Sequence, residues 1–171
     1  MNVKIHARNI DPKLRVALIL MAEYTMKKLV PSTRTRNSIT IDVHMKHHDQ
    51  YGEATLDLFA NRYRPRDFHV YLDHHRMVTD DYKRVRDATE WRHEILKTLG
   101  HELVHVKQYV TGELTWRAKG LYYKGIQYDP ENLIDYFDLP YEIEAYGRER
   151  GLLVAFLAFW STIEGELDLD D

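Results

Sequence analysis

The chain has 171 residues, a formal net charge of −3 and no cysteine, with 44 % hydrophobic and 30 % charged residues. These values are typical of a globular protein with one sizeable core, so we predict a single domain over residues 1–171. The absence of cysteine excludes disulfide bonds and thiolate metal sites, and the negative charge argues against a surface that binds nucleic acid generally.

No stretch of the sequence predicts a signal peptide or a membrane span. The apolar run 152–160 is less than half as long as a membrane-spanning helix. We therefore expect a soluble, cytoplasmic protein without a membrane partner. Because there are no thiols, any metal site must be built from histidine and carboxylate side chains.

The first half of the chain predicts one helix and a small sheet. Residues 2–7 fit either a strand or an extended arm. A helix is predicted over 11–30, because Asp11 can cap it, a proline follows at its first position and Pro31 stops it. Alternating apolar residues then predict three strands, over 38–46, 52–59 and 68–73. Brief connections between consecutive strands favour an antiparallel meander.

The second half predicts two long helices around a hairpin. Residues 79–81 place a cap and acidic side chains at a helix start, and helical periodicity runs over 82–110, either unbroken or with a break near 89–92. Gly112 ends it. Extended segments follow, with a hairpin turn at 124–125. A leucine–proline pair opens the final helix, which is predicted to reach about residue 164 before an acidic tail.

The first of these long helices carries the pattern His101-Glu102-Leu103-Val104-His105. Apolar residues recur every three or four positions along it and predict one buried stripe. At about 100° per residue, His101 and His105 lie one turn apart on the side opposite that stripe, where both imidazoles can face a cleft. Histidines at this spacing are typical of a zinc site, and Glu102 is placed to hold a water on the metal.

A catalytic zinc ion has three protein ligands and leaves one position for water, so a third ligand is needed. The final helix offers Glu142 and Glu144, which are two residues apart and point about 200° away from each other. Only one of them can join the histidine pair. The helix phase leaves both open, because Glu142 shares a face with large apolar residues and Glu144 shares one with small residues.

The motif at 101–105, followed by YEIEAY at 141–146, resembles the gluzincin clan of zinc metallopeptidases, in particular minigluzincins and SprT-like proteins. The resemblance implies a Zn²⁺ cofactor and Glu102 as general base. It also implies Glu142 as third ligand, since several gluzincin families place that glutamate three residues before an alanine. Tyr146 stands where those families have an acid or amide, so its hydroxyl or another side chain must support a ligand histidine.

The predicted fold is α+β and zincin-like: a small antiparallel sheet, an N-terminal packing helix, the H-E-x-x-H active-site helix and a C-terminal glutamate helix. The predicted function is zinc-dependent hydrolysis of a peptide or protein substrate by a metal-bound water, with Glu102 as base. We expect an extended peptide to add as a strand between the sheet edge and the active-site helix. The alternatives are a non-catalytic zincin-like binding or regulatory module, and a DNA-associated SprT-like protease.

Two clusters of basic side chains lie outside these motifs. Five histidines lie on or after predicted strands: His44, His47, His48, His74 and His75. A histidine-rich surface is favoured over a second metal site, because no carboxylate has a recognisable ligand spacing with them. Five arginines lie on either side of the third strand: Arg62, Arg64, Arg66, Arg84 and Arg86. A solvated basic face is favoured over a nucleic-acid patch.

Overall fold

The computed structural model describes residues 1–57, 61, 63–128 and 133–167, and these residues form an α+β fold with two small sheets. The described α-helices are α1 (Pro12–Leu29), α2 (Thr33–Asn37), α3 (Ala88–Thr111) and α4 (Pro140–Leu167). The described strands are β1 (Asn2–His6), β2 (Thr40–Met45), β3 (Gly52–Leu56), β4 (Asp67–Leu72), β5 (Leu114–Arg117), β6 (Gly120–Tyr123) and β7 (Ile126–Tyr128). Two 3₁₀ segments, Arg76–Val78 and Leu133–Asp138, complete the described elements.

The first sheet has the strand order β1-β2-β4-β3, with β1 and β4 both parallel to β2 and only β3 antiparallel to its neighbour. The predicted antiparallel meander is therefore wrong. The chain crosses from β2 to the far edge, forms β3 there and returns as β4 beside β2. Alternation of apolar residues identifies the face of each strand that is buried, but it carries no information on which strand lies beside it.

The free edges of this sheet are β1 and β3. Along the outer edge of β1, the Arg15 guanidinium donates hydrogen bonds to the carbonyl oxygens of Ile5 (2.7 Å) and Ala7 (3.1 Å). Among the described strands, β3 pairs with β4 alone. The backbone groups on the outer side of β3 therefore remain available for pairing with an extended chain.

Helices α1 and α3 pack on the apolar face of the sheet. α1 begins as predicted, because the Asp11 side chain accepts a hydrogen bond from a backbone amide of the first turn. The side chains of Leu14, Leu18 and Met21 in α1 are buried, whereas Leu29 is only partly buried. The short helix α2 lies between α1 and β2.

α3 begins at Ala88, so the predicted start near residue 82 is wrong. The Asp80 side chain accepts hydrogen bonds from two backbone amides of a turn, and Lys83 has a φ of 60°, which no helix residue adopts. Asp87 and Glu90 form the capping box that actually opens the helix. Gly112 ends it with a φ of 76°, as predicted.

The second sheet and α4 complete the fold. β5, β6 and β7 form an antiparallel sheet, and the predicted hairpin turn is present, with positive φ values at Lys124 (48°) and Gly125 (87°). α4 packs along α3. Residues 129–132, between β7 and the second 3₁₀ segment, and residues 168–171 of the predicted acidic tail lie outside the described residues. Across the described ranges, no helix combines the length and apolar composition that crossing a membrane requires.

Candidate metal centre

The buried stripe of α3 determines where the histidine motif points. Leu99, Leu103 and Val106 are fully buried, which fixes the rotation of the helix about its axis. In that orientation His101 Nε2 and His105 Nε2 lie 3.2 Å apart. The two residues are only 6 % and 8 % exposed, so the imidazoles are more enclosed than the predicted open cleft implies.

The first turn of α4 brings Glu142 to this pair. Its Oε2 atom lies 3.3 Å from His101 Nε2 and 3.4 Å from His105 Nε2. The oxygen is buried and accepts no hydrogen bond, an arrangement that costs free energy unless another group compensates it. One ligand atom from each of the three side chains lies within 4.8 Å of the other two. His101, His105 and Glu142 could therefore hold a metal ion, and two imidazoles with one carboxylate are a donor set that suits zinc.

Glu144 points away from the histidines, as expected for a residue two positions along the helix from Glu142. Its carboxylate accepts hydrogen bonds from four side chains: Lys107 (3.0 Å), Gln108 (3.2 Å), Tyr123 (3.0 Å) and Arg148 (2.9 Å). Burial opposes its ionisation, but the bonds from Lys107 and Gln108 outweigh it and lower the pKa of Glu144 to about 2. This glutamate links α4 to α3 and β6.

Both ligand-candidate imidazoles are oriented through their second nitrogen. His101 Nδ1 lies 3.0 Å from Glu149 Oε2, and His105 Nδ1 lies 3.0 Å from Gln108 Oε1. Gln108 is itself fixed, because its amide donates to the carbonyl oxygen of Tyr141 (2.9 Å). Carboxylate and amide oxygens accept hydrogen bonds, so each Nδ1 carries the proton and each Nε2 is directed at Glu142.

Sequence reasoning missed these supporting residues. The Tyr146 ring packs edge-on against His101 at 4.5 Å between centroids, but the oxygen at His101 Nδ1 belongs to Glu149. The spacing of two residues in the sequence could have identified them. Glu149 lies seven residues after Glu142, which is two helical turns along the same face, and Gln108 lies three residues after His105.

Burial also changes the proton affinities at the centre. It raises the pKa of Glu102 to about 7, and the nearby histidines only partly oppose this effect. Burial lowers the pKa of His101, but the neighbouring carboxylates of Glu142 and Glu149 outweigh this effect and raise that pKa to about 9. A carboxyl group with a pKa near neutrality can accept a proton in one step and release it in the next.

The centre opens on one side to a cleft of about 560 Å³. Its walls include Gly52 at the start of β3, His101 and Glu102 on α3, and Tyr146 on α4. The cleft thus lies where the sequence predicted it, between a sheet edge and the histidine helix.

Comparisons with protein-family models, with curated proteins and with solved structures found no match to this chain. The resemblance based on the H-E-x-x-H pattern therefore stays a prediction.

The predicted group of five histidines is divided among different places. His44 lies on the outer face of the first sheet, where its Nε2 is 3.0 Å from His69 Nδ1 and its ring stacks on His6 at 4.6 Å between centroids. The parallel order of β1, β2 and β4 brings these three together, which is why sequence spacing missed His6 and His69. The other four lie after β2 and β4: His47, His48, His74 and His75.

Several of the predicted basic-face arginines hold turns in place. Arg66 donates to the carbonyl oxygens of Pro65 and Val110, and Arg84 pairs with Asp80 and Glu90. The Arg86 side chain is only 12 % exposed and donates to the carbonyl oxygens of Met77 and Thr79, so the predicted solvated face is wrong for this residue. Arg62 lies outside the described residues.

Proposed function

We propose that the protein is a zinc-dependent metallopeptidase with a zincin-like, gluzincin-type centre. The observation that carries the proposal is the convergence of His101 Nε2, His105 Nε2 and Glu142 Oε2 in a buried site that opens to a cleft. Glu142, rather than Glu144, is the third ligand in this proposal, because the hydrogen bonds of Glu144 direct it elsewhere. Glu102 lies beside the ligand histidines and in the wall of the cleft.

Zinc held by these three side chains would supply Lewis acidity, which lowers the pKa of a water molecule and polarises a peptide carbonyl group. Glu102 would accept the proton of the attacking water and deliver it to the leaving amine, since its carboxylate lies beside the ligand histidines in the cleft wall. Glu149 and Gln108 keep the imidazoles oriented throughout.

The substrate in this proposal is an extended peptide or protein segment. β3 has an open edge beside α3, and its first residue lines the cleft. Hydrogen bonds between the peptide backbone and this edge would hold the peptide along the cleft, with its side chains alternating between the two faces. Backbone pairing of this kind favours unfolded segments over folded ones.

The test is to assay the zinc-loaded protein for cleavage of unfolded casein beside its Glu102→Gln variant. We expect the variant to keep its zinc and its fold while turnover falls by roughly two orders of magnitude or more, because only the base is removed. Equal turnover in the two proteins would contradict the mechanism. Zinc binding without turnover in the parent protein would instead favour a non-catalytic metal-binding module.

A further inference from the structure

Gly52 is the first residue of β3 and faces the base-bearing helix α3. A Cβ atom placed on Gly52 would lie 2.6 Å from Glu102 Oε1 and 2.7 Å from Thr98 Cγ2. Non-bonded heavy atoms reach their optimal separation only at about 3.5–4.0 Å. Any side chain at position 52 would therefore overlap the Glu102 carboxylate and the Thr98 methyl group.

The backbone at this position does not itself require glycine. The described glycines with positive φ are Gly112, Gly120 and Gly125, so Gly52 has a conformation that other residues adopt. Gly52 pairs with Leu72 in the regular antiparallel register of β3 and β4. Glycine is thus required at position 52 because the space beside the Glu102 carboxylate must stay empty.

The two facing elements, β3 and α3, are both held in place, so the distance between them cannot easily increase. Leu72, the partner of Gly52 on β4, is fully buried. Next to this pair, the backbone amide of Asp73 donates a hydrogen bond of 3.0 Å to the carbonyl oxygen of Tyr51. On the other side, Leu99 and Leu103 anchor α3 in the core. An added methyl group would therefore displace the Glu102 and Thr98 side chains and leave the backbone in place.

We infer that Gly52 is a positioning residue for the base: the missing side chain leaves the space in which the Glu102 carboxylate lies against the sheet edge. This inference rests on the proposed peptidase function and extends it to a residue that is not itself a proposed metal ligand or base. The edge strand that would receive the peptide then also sets the position of the group that activates water. The strand β3 would thus position both the peptide and the Glu102 carboxylate.

The test compares Gly52→Ala with Gly147→Ala, a matched control in which the new Cβ meets no atom within 4 Å apart from its chain neighbours and the backbone of its own helix. We expect Gly52→Ala to keep about one zinc per chain, as a single three-ligand site requires. Its kcat for an unfolded casein peptide should fall by roughly 10–100-fold with little change in KM, because a displacement of about 1 Å has an effect of this order. The control should match the parent protein in zinc content, kcat and KM.

A second readout does not depend on activity. In a crystal structure of zinc-free Gly52→Ala, we expect the Glu102 carboxylate to be displaced while β3 keeps its pairing with β4. An unmoved Glu102 carboxylate would overturn the inference, whatever the kcat of the variant. If Gly52→Ala folds poorly, Gly52→Ala/Thr98→Ala removes the methyl contact and keeps the carboxylate contact, and full kcat in this double variant would also overturn it. If the parent protein cleaves no peptide, the proposed function fails, and the position of the carboxylate still decides the role of Gly52.

Discussion

Two pairs of histidines in this protein have nearly the same spacing between ring nitrogens. His101 Nε2 and His105 Nε2 are 3.2 Å apart on one helix, and His44 Nε2 and His69 Nδ1 are 3.0 Å apart on neighbouring parallel strands. Each pair contains a ring whose other nitrogen contacts a supporting carboxylate, that of Glu149 in the first pair and that of Asp57 in the second. By spacing alone, the pairs are equivalent.

The pairs differ in the third donor and in burial. Glu142 faces both imidazoles of the helix pair from a buried position, and its Oε2 accepts no hydrogen bond. The strand pair lies on a partly exposed sheet face, and the described residues provide no third ligand atom within 4.8 Å of both its rings. A candidate metal site therefore requires a third donor and a desolvated setting as well as two close imidazoles.

The largest expected effect is on metal binding, which should be lost when a histidine of the helix pair is removed and kept when a histidine of the strand pair is removed. His101→Ala should abolish stoichiometric zinc binding, because two donors remain of three, whereas His44→Ala should keep about one zinc per chain. Mass spectrometry of metals in the dialysed proteins measures both. Equal zinc retention in the two variants would mean that the difference between the pairs does not determine metal binding.

The third donor can be tested with the two glutamates of α4. Glu142→Ala should weaken zinc binding severely, and Glu144→Ala should retain zinc. The second change still has a cost, because Glu144 is 15 % exposed and accepts four hydrogen bonds, so we expect a loss of about 1–2 kcal/mol in unfolding free energy. Chelator competition and thermal unfolding distinguish the two effects. Zinc loss in Glu144→Ala alone would reassign the third ligand.

The smallest expected effect concerns the supporting carboxylates. Glu149→Ala removes the acceptor at His101 Nδ1 and should weaken zinc binding by about 10–100-fold, the range for loss of such a support. Asp57→Ala makes the same change beside His69 and should leave zinc affinity unaltered. Titration against a competing chelator measures both constants. Parental affinity in Glu149→Ala would show that the carboxylate does not orient His101 for the metal.

Sequence reasoning succeeded where the information was local to one helix. The apolar stripe predicted which side of α3 the histidines occupy, because side-chain directions along a helix follow from its period. The helical period also predicted that only one of Glu142 and Glu144, two residues apart on the final helix, could face the histidines. The assignment of one of them relied on a resemblance, since the rotation of α4 about its axis depends on how it packs against α3.

The predictions that were wrong or incomplete concern features that depend on contacts between distant residues, or on a local turn that replaces the predicted helix start. The place of β3 at the sheet edge depends on the hydrogen bonds of the whole sheet, so alternation within each strand could not predict it. Gln108 and Glu149 were overlooked because neither residue type is diagnostic without the fold. The start of α3 was misplaced because Asp80, a good cap by composition, closes a turn with its side chain instead.

The guanidinium of Arg15 on the outer edge of β1 affects how copies of this protein can associate. A continuous intermolecular sheet needs two available edges on each molecule, so that every copy can join a neighbour on both sides. Because Arg15 occupies the carbonyl oxygens of Ile5 and Ala7, β1 is a poor template for a further strand. Pairing through β3 alone ends after two copies. An edge suited to receiving a peptide therefore does not commit the protein to forming fibrils.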